Sequence, residues 1–141
     1  MRRPCFRLCN LLCLVVVFTS LVGCGTPESR ARRYHGKGLL YAKNSQFKKA
    51  EEQFKKAIRF DPKNAESRYK LGKVYSSQRR LKDAEQHFRK AIELKPDHLM
   101  AHLGLAETLY ADERLEEAIA ACRSGLERSP DYAKFHALLG S

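Results

Sequence analysis

Residues 65–98 read AESRYKLGKVYSSQRRLKDAEQHFRKAIELKPDH. Within them Leu81, Ala84, Phe88, Ala91 and Ile92 fall three or four apart, so a helix gathers them on one apolar face. Leu71, Gly72 and Tyr75 belong to an earlier helix, where small and bulky residues alternate at fixed offsets. Two antiparallel helices need that alternation to approach closely and still fill the space between them. Pro96 cannot continue the helix before it, and Asp97 just beyond can cap the next one.

The same text recurs one period earlier and one later. Pro62, Pro96 and Pro130 are each 34 residues apart, and aligning on them brings other triplets into register. These are Tyr34, Arg68, His102; Gly38, Gly72, Ala106; Tyr41, Tyr75, Leu109; Ala50, Ala84, Ala118; Phe54, Phe88, Cys122; and Ala57, Ala91, Gly125. Phe47, Ala50, Phe54, Ala57 and Ile58 repeat the apolar face, and so do Leu115, Ala118, Ile119, Cys122 and Leu126. Asn64 is placed to cap a helix, and Asn44-Ser45 and Asp112-Glu113 read as polar turns. No stretch alternates with period two, so the expected fold is all-α.

Period and pattern together resemble the tetratricopeptide repeat. The units are 31–64, 65–98 and 99–132; the first departs at Lys37, where the pattern has Leu, and the third has Ala106, Leu109, Cys122 and Gly125 as variants. The resemblance implies a right-handed superhelix of helix-turn-helix repeats, three full ones plus a short terminal helix. That last segment, 133–141, starts a fourth unit: His136 aligns with His102, Leu139 with Leu105 and Gly140 with Ala106. It is either a minimal cap or an apolar edge covered by a partner or a second copy.

The segment before the repeats has a different composition. Arg2, Arg3 and Arg7 precede an apolar run over 11–22, broken only by Thr19 and Ser20. Twelve residues make a helix of about 18 Å, short of the roughly 30 Å hydrocarbon core, so 1–23 read as a secretory signal peptide. Leu21-Val22-Gly23-Cys24 resembles the lipobox of bacterial lipoproteins, which implies acylation of Cys24, cleavage before it, and a linker over 24–30. An uncleaved N-terminal anchor and a plain cleaved signal are the alternatives. Gly25, rather than Asp, resembles lipoproteins of an outer membrane facing the periplasm. Removal of Cys5, Cys9 and Cys13 with the signal, and acylation of Cys24, would leave Cys122 alone, with no intramolecular disulfide.

The chain of 141 residues carries a formal charge of +11, which taken alone suggests nucleic acid or an anionic surface. Its distribution is uneven. Unit 31–64 has ten basic and three acidic residues (+7), 65–98 has nine and five (+4), and 99–132 has three and seven (−4). The charge therefore falls away from Cys24, an arrangement suited to anionic lipid headgroups, and nucleic acid is not expected for an exported chain.

Function follows from the resemblance rather than from any catalytic motif. There is no GxGxxG, P-loop, HExxH or GxSxG, and no enzymatic activity or cofactor is expected. The family's first helices line a concave groove for partner peptides or helices. By register it holds Arg32, His35, Leu39 and Ala42, then Glu66, Tyr69, Lys73 and Ser76, then Met100, Leu103, Glu107 and Tyr110. Tyr69, Tyr110, Met100 and Leu103 are the expected anchors, against the alternative that some pack between repeats. Chaperone-tail binders of the family use a Lys/Asn clamp; the aligned positions here hold His35, Leu39, Tyr69 and Lys73 and do not support that partner. His98 and His102, at i and i+4, have no acid or Cys to complete a metal site and are expected to be solvated. Cys122 is expected in the core, with Phe47, Phe54, Phe60 and Phe88. Lys48-Lys49, Lys55-Lys56 and Arg79-Arg80 are expected on solvated helix surface. The expected protein is a lipid-anchored, non-catalytic scaffold of the bacterial envelope, serving assembly of a pilus, secretion or cell-wall complex. The alternative is a basic binder of anionic lipid or glycan.

Overall fold

The computed structural model describes residues 25–140, so the signal and the acylation expected at Cys24 lie outside it. The described residues form seven helices and no strand. They run α1 (Pro27–Lys43), α2 (Phe47–Phe60), α3 (Ala65–Ser77), α4 (Leu81–Leu94), α5 (Leu99–Ala111), α6 (Leu115–Arg128) and α7 (Ala133–Leu139). None of these is long and apolar enough to cross a membrane. Each 34-residue unit is one hairpin, and each hairpin packs on the next, burying a continuous core that includes Phe54, Leu71, Phe88, Leu105 and Phe135.

Capping is local and varied. Asn64 Oδ1 accepts from the Ser67 amide at 2.8 Å, as its position predicts. For α5 the cap is His98, whose Nδ1 accepts from the Ala101 amide at 3.3 Å, rather than the expected Asp97. The turns inside the hairpins each need one left-handed residue, and Ser45, Arg79 and Glu113, again 34 apart, have φ of 55°, 60° and 61°. Side chains other than Gly accept that conformation at a modest cost.

Successive units are tied at fixed positions. Arg68 donates to the Pro62 carbonyl at 3.0 and 3.2 Å, His102 Nε2 to that of Pro96 at 2.9 Å, and His136 Nε2 to that of Pro130 at 2.8 Å. His98 and His102 are therefore buried and hydrogen-bonded, contrary to the solvated state expected of them. A ladder of ion pairs links the second helix of one unit to the start of the next unit's second helix. Glu51 pairs with Arg80 at 3.1 Å and accepts from Tyr75 Oη at 3.1 Å, and Glu85 pairs with Arg114 at 2.6 Å. Burial alone would raise the pKa of Glu85, but hydrogen bonds from Arg114 and Arg89 hold it below the usual carboxylate value. Arg80 thus bridges two repeats, which its place in a cationic dipeptide did not suggest. One turn apart on α2, Lys55 pairs with Glu51 at 2.7 Å and Lys56 with Glu52 at 2.6 Å.

Two imidazoles should make folding sensitive to acid. His87 stacks on Tyr75 at 5.4 Å with Nδ1 buried and unpartnered. Burial, then the charge of Arg68, lowers its pKa against the opposing pull of Asp83 and Glu51. His35, 2.8 Å from Ser67 Oγ, is also lowered by burial, Glu66 opposing and Lys70 assisting. Both stay neutral in the fold, so their contribution is complete above the unfolded value of 6.5 and is lost as pH falls through the depressed values. Thermal melts between about pH 7.5 and pH 5 should show a falling midpoint. His87→Ala, which copies Ala121 one unit on, should flatten that slope even if it lowers the midpoint at every pH.

Candidate functional site

The first helices α1, α3 and α5 lie side by side, and their outward faces form the candidate partner surface. Between α1 and α3 is a cleft of about 320 Å³. Leu39, Ala42, Phe47, Phe54 and Val74 supply its apolar walls, and Lys43, Lys70, Lys73 and Ser77 its polar ones. The helical steps explain this: Leu39 and Lys43, like Lys73 and Ser77, are one turn apart and point the same way. Lys70 is engaged, its Nζ 3.1 Å from Glu66 Oε1 and 5.0 Å above the Tyr69 ring. Lys43 and Lys73 have no acidic partner among the described residues, so the cleft has two uncompensated cations over an apolar floor.

The expected groove residues separate into two groups. Leu39 (39% exposed), Tyr110 (58% exposed), Arg32, Glu66, Lys73 and Glu107 are open to a partner, and Met100 and His35 are half-buried. Tyr69 and Leu103 are buried. The Tyr69 ring sits 5.9 Å from Phe88 and 5.0 Å from His98, and burial, followed by the charges of Glu66 and Glu107, pushes its pKa up to about 12. Tyr132 Oη donates to Met100 Sδ at 3.0 Å, which fixes that side chain. Glu66 accepts from His98 Nε2 at 3.0 Å; since His98 Nδ1 is already an acceptor, the neutral tautomer carries its proton on Nε2.

Lys43 and Lys70 were not among the expected groove residues. Each lies one turn from one that was, Leu39 or Glu66, and that spacing is the signal that could have found them. A second cleft, of about 460 Å³, opens between α4 and α6 over α5. It exists because Leu109 and Ala121 stand where the preceding unit has the Tyr75–His87 stack. His98 and His102 point at different partners, Glu66 and the Pro96 carbonyl, and among the described residues no three potential metal ligands cluster.

A tetratricopeptide-repeat family model matches residues 69–133, and a TPR-repeat model matches 38–79. The chain carries tetratricopeptide repeats. Solved tetratricopeptide domains superpose closely on it. The Arabidopsis OM64 domain has a TM-score of 0.78 at 21% identity, covering 81% of this chain and 94% of that one. The second tetratricopeptide domain of human RPAP3, solved in complex with the HSP70 peptide SGPTIEEVD, has a TM-score of 0.77 at 20% identity, covering 81% and 95%. At such identities the likeness establishes the fold. No curated protein matches the chain in sequence. Tetratricopeptide domains are generally modules of protein–protein interaction rather than of catalysis.

Proposed function

We propose that this chain is a non-catalytic adaptor of the bacterial cell envelope, tethered through acylated Cys24, that receives an extended acidic segment of a partner protein. The observation that carries the peptide reading is the α1/α3 cleft, where Lys43 and Lys73, without an acidic partner among the described residues, stand beside Leu39, Phe47 and Val74. An acidic segment with an apolar side chain satisfies both features, and the peptide held by the related human domain, with its EEVD end, has that character. The aligned clamp positions differ, so a chaperone tail is not the partner implied. The tether is supported by the cationic start, the short apolar run and the Leu-Val-Gly-Cys sequence at 21–24. A scaffold held this way would gather proteins during assembly of an envelope machine such as a pilus, secretion or cell-wall complex. A basic surface for anionic lipid or glycan is the second reading, favoured by the +7 of residues 31–64.

Fluorescence anisotropy with a labelled Glu-Glu-Val-Asp-type peptide and its Gln-Gln-Val-Asn counterpart tests the cleft. Lys43→Glu/Lys73→Glu should weaken the acidic peptide at least about tenfold, roughly 1.4 kcal/mol, and leave the neutral one alone. Equal affinities for the two peptides, or no effect of the double substitution, would remove the cleft from the proposal. Intact-mass measurement of the chain purified from membranes tests the tether, which requires loss of residues 1–23 and added acyl mass; a chain retaining Met1 would overturn it.

A further inference from the structure

The first helix of each unit turns one face towards the unit before it. In α3 that face is Ser67, Leu71, Val74 and Tyr75, and in α5 it is Ala101, Leu105, Thr108 and Leu109, all buried. The same positions of α1 hold Arg33, Lys37, Leu40 and Tyr41. Arg33 and Lys37 are exposed, and Leu40 is 58% exposed. Arg33 and Lys37 have no acidic partner among the described residues, and burying two such cations between packed helices is costly, so this face is poorly suited to seat another repeat. Lys37, the departure from the family pattern, therefore marks a surface of a different kind.

Rings and cations interleave there. Tyr34 stacks on Phe60 at 5.5 Å; Arg33 and Lys56 lie 5.5 and 6.0 Å from the Tyr34 centroid, and Arg30 lies 5.7 Å from that of Phe60. Lys49 is 5.6 Å from the Tyr41 ring. Between Glu28 and Glu51 the sequence has seven basic residues and no acid, whereas the third unit, farthest along the array, carries −4. Tyrosines beside Lys and Arg with an exposed aliphatic side chain match the composition that settles at bilayer headgroup depth. We propose that this face of α1 is a membrane-docking surface: Arg33 and Lys37 take anionic lipid headgroups, and Leu40 dips into the interface. The proposal rests on the tether read above and names the face that the tether lays against the bilayer, leaving the α1/α3 cleft to the partner.

The chain contains no tryptophan, so Leu40→Trp makes a single reporter at this face and Tyr110→Trp a control on α5. The full chain, purified from membranes, is reconstituted into neutral vesicles and into vesicles holding a third of anionic phosphatidylglycerol. The expected result is a blue-shifted Leu40→Trp emission, quenched by brominated lipid, in anionic vesicles only, with Tyr110→Trp unchanged in both. Adding Arg33→Ala/Lys37→Ala should lower the docked-to-undocked ratio about thirtyfold, as about 1 kcal/mol for each basic residue implies, and high salt should act likewise. Identical Leu40→Trp spectra in the two vesicles would overturn the proposal while leaving the tether intact. A shift that grows with protein density in neutral vesicles would assign the face to a second copy and also overturn it. A chain that floats with neither vesicle would overturn the tether and this proposal together.

Discussion

Phe88→Ala is expected to cost about 3–5 kcal/mol, a large share of the roughly 5–15 kcal/mol that holds a domain of this size together. Phe88 is fully buried on α4 and lies against both α3 and α5. A Cβ added at Gly72 on α3 would come within 2.8 Å of its Cε1, and one added at Gly104 on α5 within 2.7 Å. Tyr69 packs against its edge at 5.9 Å. Because glycine lines the site at Gly72 and Gly104, those two walls have no side chain to swing into the void. The backbones themselves would have to close, and the ladder of Glu85 and Arg114 resists that. The melting midpoint should fall on the order of 15 °C, measured by circular dichroism. Leu115→Ala, at an exposed position of α6, should stay within about 0.5 kcal/mol of the parent. A Phe88→Ala midpoint within a few degrees of the parent would mean that the helices collapse onto the site and that the glycine contacts are not rigid.

The same contacts explain what could be read from the residues and what could not. A period of 34 with Gly or Ala opposite Phe is a statement about backbone approach, and the structure realises it directly as Gly38 on Phe54 and Gly72 on Phe88. Helix order, hairpin turns and core therefore follow from the sequence. The burial of individual surface-facing residues does not. Tyr69 and Leu103 occupy the same position in two units and look like open groove side chains when one hairpin is considered alone. Tyr69 is covered by His98, the residue that caps the next helix, α5. Covering of this kind is non-local, set by how one hairpin leans on the next, and the periodicity of either hairpin is silent about it. The burial of His98 and His102 is hidden from the sequence for a related reason. An imidazole N–H can be buried when a carboxylate or a proline carbonyl receives it, and the receiving groups here, Glu66 and Pro96, sit on other turns of the chain. Lys37 shows the converse: one residue out of pattern marks the face where the array stops stacking.

Gly125→Ala is expected to destabilise the protein by about 2 kcal/mol, although the same change in an open helix would stabilise it by about 1 kcal/mol. The third unit has Cys122 and Gly125 where the first two have Phe54 and Ala57, then Phe88 and Ala91, so it has lost its own ring. Phe135 from α7 restores it, fully buried and in the space above Gly125. A Cβ at Gly125 would overlap the Phe135 Cζ and lie 2.6 and 2.7 Å from Cε2 and Cε1. The bulk that the second helix gave up is thus supplied by the helix that follows, and the two sizes are complementary. The seven-residue α7 is the element free to yield, so the clash should lift it and uncover Cys122. Burial raises the pKa of that thiol, with Glu107 adding to the effect, and keeps it unreactive in the parent. Thiol labelling resolved by residue should therefore be slow at Cys122 in the parent and at least about tenfold faster in Gly125→Ala, in proportion to the opened population. Gly125→Ala/Phe135→Leu separates complementarity from a general loss of packing. A shorter side chain opposite the new methyl should recover part of the stability, giving a coupling of about 1 kcal/mol or more in the double-mutant cycle. Strictly additive costs would show that Gly125 and Phe135 are merely neighbours, and that α7 is held to the array by other contacts.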